Sequence, residues 1–165
     1  MLRLLPTAAI ALVGLLMFGC KSGRSVLRIS ELPTYDERSP NHILFLNFRI
    51  TGKLGKKEKV ELVSAQVANG KMKNPYHPIN YPAVRIKAVL RYTNGVLEHE
   101  MAFLHPLYQL VEVGDPSGHI RREEVRAKEG RLLIRMPVHS DLNSLELFSV
   151  MPERGSVKIY TLSFN

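Results

Sequence analysis

The side chains that could do chemistry in this chain are few and far apart. One cysteine stands at position 20, and six histidines stand at positions 42, 77, 99, 105, 119 and 139. No pair of histidines has the His-x-x-x-His spacing that puts two imidazoles on one metal, and no second cysteine completes a thiolate set. His99 lies between Glu98 and Glu100. In an extended strand it points away from both, so the three cannot converge on one ion. Glu123 and Glu124 are adjacent and fall on opposite faces of a strand, the wrong arrangement for shared acid–base work. There is no Gly-x-Ser-x-Gly elbow to raise a serine nucleophile and no glycine-rich phosphate loop. Asp115-Pro116-Ser117-Gly118 could form one arm of a calcium loop, but a turn accounts for it fully. No cofactor motif is present, and no catalytic set comes together. The chain reads as a non-enzyme.

The remaining lead is positive charge. Lys and Arg number 23 against 15 Asp and Glu, a formal net charge of +8 with a pI near 9.8. Lys53, Lys56, Lys57, Lys59, Lys71 and Lys73 form one group, and Arg121, Arg122, Arg126, Lys128, Arg131 and Arg135 form another. If the groups share a face, Lys53, Lys56, Lys57, Lys59, Arg121 and Arg122 are candidate anion-binding residues, suited to acidic glycans or lipid headgroups. Glu58, Glu61, Glu123, Glu124 and Glu129 are interspersed. That mixture favours an ordinary solvated surface with charged strand edges.

The amino terminus reads MLRLLPTAAIALVGLLMFGC. Arg3 gives a short positive start, and Leu4 to Phe18 carry no charge. The run is too short for a comfortable membrane span, which needs about 20 apolar residues, and it fits the apolar region of a signal peptide. Met17-Phe18-Gly19-Cys20 closes it, and polar residues follow at once. This junction resembles the lipobox of bacterial lipoproteins, with Gly19 and Cys20 matching and Phe18 bulkier than the pattern. The resemblance covers residues 1–20 only. It implies cleavage between Gly19 and Cys20, diacylglycerol on the Cys20 thiol, and acylation (palmitate, typically) of the new amine. Cys20 is then occupied by lipid and is no nucleophile. Lys21 in place of Asp implies, by the same resemblance, transport to the outer membrane of a Gram-negative envelope. Loss of residues 1–19 removes Arg3 alone, so the mature chain stays strongly basic. An exported domain does not meet nucleic acid, whatever its charge.

With no second cysteine for a disulfide, the fold depends on its hydrophobic core. Residues 20–41 hold Ser, Gly, Pro and mixed charges without a lasting period, which predicts the lipidated cysteine and a flexible tether. From 42 to 165 the chain alternates like strands. Leu44, Leu46, Phe48 and Ile50 share one face. Strand 60–67 changes its apolar phase between Leu62 and Val63, the mark of a bulge or of a two-sided strand. Residues 83–105 predict a hairpin about Asn94-Gly95, a dipeptide suited to a type I′ turn. In that register Leu90 faces His99, Ala88 faces Met101, Ile86 faces Phe103, Lys87 faces Ala102, Tyr92 faces Leu97 and Arg91 faces Glu98. Further strands are expected at 107–113, 124–128, 131–139, 145–150 and 157–164. Turns are expected at 69–70, 114–118, 129–130, 140–143 and 152–155.

About seven to nine short strands without helices predict an all-β antiparallel sandwich, immunoglobulin-like or transthyretin-like in architecture. The Pro-rich stretch Asn74–Pro82, stiff and aromatic, could serve as a contact surface and reads more readily as a crossover between its sheets. The functional expectation is a lipid-anchored envelope lipoprotein whose domain is a non-catalytic binding or assembly module, contacting another envelope protein through a sheet edge or loops. The alternative is a glycan- or lipopolysaccharide-binding module using the basic groups, weakened by the absence of tryptophan. A hydrolase would require a cleft in which histidine and carboxylate groups converge.

Overall fold

The computed structural model describes residues 23–52, 57–73, 82–93, 99–114 and 118–165. Among them are ten strands: β1 (Gly23–Leu27), β2 (His42–Thr51), β3 (Lys59–Asn69), β4 (Arg85–Tyr92), β5 (His99–Leu104), β6 (Tyr108–Gly114), β7 (Ile120–Arg126), β8 (Glu129–Val138), β9 (Leu142–Met151) and β10 (Gly155–Phe164). A single 3-10 turn, Ile29–Glu31, is the one helical element among the described residues. Strands β1-β10-β9-β4-β5 make one sheet and β3-β2-β8 the other, while β6 and β7 pair as a separate ribbon. All pairings are antiparallel except β1 with β10. The molecule is the all-β sandwich that the strand spacing predicts.

The alternation explains the core. Leu44, Leu46, Phe48 and Ile50 of β2 are all buried, as are Leu132, Ile134 and Met136 of the neighbouring β8. The five-stranded sheet answers with Ile86, Ala88 and Leu90 of β4, Leu145 and Leu147 of β9, and Leu162 of β10, all in one cluster. Because successive side chains alternate faces, each strand delivers every second residue to the interior. The expected bulge is present: Asn47 pairs with Ser64 and Phe48 with Leu62, leaving Val63 unopposed. The β4–β5 register is the expected one at Leu90–His99, Ala88–Met101, Lys87–Ala102 and Ile86–Phe103. The turn residues Asn94-Gly95, with Leu97 and Glu98, lie outside the described residues. Residues 70–84 connect β3 of one sheet to β4 of the other, so the chain does cross between sheets there; positions 74–81 lie outside the described residues.

Three expectations need correction. Residues 23–41 are not a free tether. Strand β1 pairs in parallel with β10 from Gly23–Tyr160 to Leu27–Phe164, Ile29 joins the core, the Thr34 hydroxyl donates to the Val67 carbonyl, and Tyr35 stacks on His42 at 4.5 Å. The sequence hides this strand because it is five residues long with no residue fully buried, and the strand it pairs with, β10, lies at the far end of the chain. Second, the strand expected at 124–128 is β7, which begins at Ile120 and ends at Arg126. Third, Glu129-Gly130 is no turn but the start of β8, with Gly130 opposite Ile50. A glycine belongs there because a Cβ would lie 2.4 Å from the Pro106 carbonyl oxygen. The expected turns after β3 and β9 are present, with Gly70 at φ 139° and Gly155 at φ 67°.

Replacement of Phe48, fully buried at the sandwich centre, by Ala should cost about 3–5 kcal/mol. Leu133→Ala, at a side chain 70% exposed, should stay within about 0.5 kcal/mol of the parent. Urea unfolding of both variants checks the assignment of inner and outer faces.

Candidate functional site

The loop after β5 turns sharply at His105-Pro106-Leu107, and the strand order carries it to one end of the sandwich. Pro106 rests against Gly130, and Leu107 is wholly buried. His105, 1% exposed, is held under this loop. The Leu107 N–H donates to His105 Nδ1 at 3.3 Å. The other ring nitrogen, Nε2, lies 3.2 Å from Ser149 Oγ and 3.5 Å from Glu58 Oε1. Arg154 reaches in from the β9–β10 turn, with Nη2 3.4 Å from the same Glu58 oxygen. Glu58 Oε2 has no hydrogen-bond partner among the described residues.

Beside this cluster lies a cleft of about 690 Å³, within the usual range for small-ligand sites. Its walls include Val84, Leu104, Tyr108 and Val111, with His105 exposed to it only slightly and Glu124 and Arg131 at the polar side. Tyr108 meets the His105 ring edge-on at 4.9 Å, and the Arg126 guanidinium lies over the Tyr108 ring at 5.4 Å. Leu104, 77% exposed, stands at the mouth.

Serine, histidine and glutamate thus meet beside a cleft, the arrangement that a hydrolase would require, but their roles do not fit. In a nucleophilic triad one ring nitrogen accepts the serine proton while the other donates to the carboxylate. Here Nδ1 accepts a backbone N–H, so a neutral ring carries its proton on Nε2. That nitrogen faces both Ser149 and Glu58, and it donates rather than accepts. Ser149 is 3% exposed and does not line the cleft. The cluster is suited to holding the 105–107 loop in place. Among the described residues, no group of three or more His, Cys, Asp or Glu could hold a metal ion.

Burial pushes the Glu58 carboxyl upward, but the hydrogen-bonding groups of His105 and Ser149 and the charge of Arg154 outweigh it, leaving the carboxyl below its ordinary range. Glu58 is therefore an anion in the folded protein at neutral pH.

A second feature lies on the outer face of the three-stranded sheet. Phe45, Val63 and Leu133 are exposed at 39%, 44% and 70%. Phe45 and Leu133 flank a shallow hollow of about 320 Å³ with Ser64 and Arg135 at its rim. Asn47 lines this hollow, and its buried Oδ1 has no hydrogen-bond partner among the described residues.

Among the described residues, the candidate anion-binding side chains belong to different sheets. Lys57 and Lys59 are exposed at the start of β3. Arg121 and Arg122 lie on β7, in the separate ribbon, and pair with Glu123 at 2.7 Å and Glu112 at 3.3 Å. Lys53, Lys56, Gly19 and Cys20 lie outside the described residues. Sequence reasoning missed Glu58, His105 and Ser149 as a group because more than forty positions separate His105 from either partner in the chain. It missed Asn47 because an Asn on the polar side of a strand looks like any solvated residue.

The folded carboxyl of Glu58 sits below its unfolded value near 4.5, so its contribution to stability is complete above that value. It is lost as pH falls through the lower, folded value. Glu58→Gln should therefore flatten the fall of stability below about pH 5 relative to the parent, as read by urea midpoints across pH. Gly130→Ala should push Pro106 off β8 and cost about 1–3 kcal/mol, with a matching change in near-ultraviolet dichroism from Tyr108. Comparison with protein-family models, with curated proteins and with solved structures finds no match to this chain.

Proposed function

We propose that this chain is a lipid-anchored envelope lipoprotein whose β-sandwich acts as a non-catalytic assembly module. The observation that carries the module reading is the outer face of the three-stranded sheet. Two large apolar side chains, Phe45 and Leu133, stand in water beside a hollow whose buried Asn47 amide oxygen lacks a donor among the described residues. An unsatisfied buried acceptor costs about 1–3 kcal/mol, and a partner that covers the hollow and supplies an N–H removes that cost. Exposed apolar groups rimmed by polar ones are the usual mark of protein contact. The polar cluster at His105 supports the same reading from the other side, since its geometry holds a loop and offers no nucleophile.

The anchor reading rests on the apolar run ending at Gly19-Cys20. Two or more acyl chains, each methylene contributing about 0.8 kcal/mol, keep a protein on a bilayer where one chain would exchange. Outer-membrane placement follows from Lys21 by the sorting resemblance. The alternative, a glycan- or lipopolysaccharide-binding module, draws on the excess of basic residues; the pairing of Arg121 and Arg122 with acids weakens it.

Cys20→Ala should abolish incorporation of radiolabelled palmitate and move the protein out of the membrane fraction; labelling that survives the substitution would rule the anchor out. A photo-crosslinker at Leu133 should give a discrete adduct in intact cells, and one at Glu153 should not give the same adduct. Equal adducts from both positions would remove the case for the hollow as the contact face.

A further inference from the structure

The first strand begins three residues after Cys20. From Cys20 to Gly23 the chain can span at most about 11 Å, at 3.3–3.6 Å per residue. Strand β1 is parallel to β10, and Gly23 lies beside Tyr160. The chain therefore enters β1 from the side of residues 155–159, not from the Phe164 end. Gly23 is fixed on that side by close packing: a Cβ there would lie 2.9 Å from the Tyr160 ring and 3.6 Å from the Val60 carbonyl oxygen.

The two sheets reach the same end of the sandwich. Arg154, before β10, meets Glu58, before β3. The Gly52 N–H donates to the Lys128 carbonyl, joining the ends of β2 and β8. Basic side chains predominate among the charged ones exposed there: Lys57, Lys59, Lys128 and Lys158 are exposed, with Arg154 47% exposed. The acids of this end include Glu129 and Glu153, both exposed, Glu124, exposed on the wall of the cleft, and Glu58, buried against His105 and Arg154. Lys158 also meets Glu146 at 2.5 Å. Val157, between Ser156 and Lys158, adds an apolar side chain 38% exposed.

Resting on the reading of Cys20 as the lipid anchor, we propose that this end of the sandwich is seated on the headgroup layer of the bilayer. Lys57, Lys59, Lys128 and Arg154 would meet lipid phosphates as a second contact beside the acyl chains. Acyl chains and basic side chains together are the recognised two-signal form of membrane attachment. The short span, the direction of β1 and the sign of the charge all select the same end. The opposite end, with Leu142 and Asn143 at the start of β9, faces away from the bilayer.

The chain contains no tryptophan, so a single introduced Trp reports without background. The test uses the full lipidated protein reconstituted in phosphatidylglycerol-containing vesicles, with nitroxide on the lipid headgroups as quencher. Val157→Trp places the reporter at the seated end, and Ser156→Trp, at an exposed neighbour, serves if the first variant does not fold. Asn143→Trp places it at the far end, six strand positions from the Ser149 partner of Val157, or roughly 20 Å. Quenching several-fold stronger at 157 or 156 than at 143 is expected. Equal quenching, or the reverse order, in protein whose mass shows the acyl chains would overturn the seating while leaving the anchor intact. A mass without acyl chains would overturn the anchor, and the seating with it. To read the charge contribution, a flexible Gly/Ser insert of about twenty residues after Ser22 loosens the span. Lys57→Glu/Lys59→Glu in that background should lower the remaining quenching several-fold, and an unchanged signal would refute the role of the cations.

Discussion

Tyr160 lies at the seam between the two sheets and holds the first strand in place. Its ring meets Phe48 edge-on at 5.6 Å, its hydroxyl is hydrogen-bonded to Ser25, and Gly23 lies close against the ring. Burial raises its phenol above the ordinary range, partly offset by the Ser25 hydroxyl. The group therefore stays a neutral, hydrogen-bonded spacer. Its position follows from a shift in β10, where the register slips between Lys158 and Tyr160 and both Ile159 and Tyr160 turn inward. One extra residue in a strand thus supplies the large side chain on which β1 is built. The start of the folded domain, and so the distance from Cys20 to the sandwich, depends on this contact.

Ionic groups are arranged around the same logic of tying strands together. On the outer face of the five-stranded sheet, Glu146 receives Arg91 at 2.9 Å and Lys158 at 2.5 Å, joining β4, β9 and β10. Burial would raise its carboxyl, but the two cations hold it below the ordinary range. Arg49 and Glu61 form the corresponding pair across β2 and β3 at 2.7 Å; being exposed, that pair adds little to stability. The buried Glu58–His105 pair is of another kind. Taking the carboxylate out of water is costly, and removing the imidazole N–H would leave it poorly matched. Its return is geometric: it fixes the 105–107 turn and with it one wall of the cleft.

If the anchored end meets the bilayer, the surfaces of the sandwich divide by position. The cleft under the β6–β7 ribbon lies at the bilayer end, beside Pro106 and Arg131. The hollow about Asn47 lies midway along the three-stranded sheet, on a face that stands clear of the lipid. A protein partner of an upright, closely tethered domain approaches from the side, and that side carries Phe45 and Leu133. The two proposals are therefore compatible in space, though they rest on separate observations.

The sequence by itself determined whatever depends on neighbours along the chain. Alternation of Leu44, Leu46, Phe48 and Ile50 set the inner face of β2. The bulge at Val63 showed as a change of apolar phase, and the β4–β5 register followed from matching apolar faces, because a slip of one residue would reverse them. The apolar run ending at Cys20 needed no fold to be read. Tertiary structure alone decided what depends on distant parts of the chain. It showed that β1 belongs to the sandwich, since its pairing partner is β10, more than a hundred residues away. It showed that Gly130 continues a strand, since the reason for the glycine is Pro106 on another segment. It brought Glu58, His105 and Ser149 together and put Arg121 and Arg122 on a different sheet from Lys59. Local periodicity reports which way a side chain points, while the groups it meets are set by strand order, which no local pattern encodes.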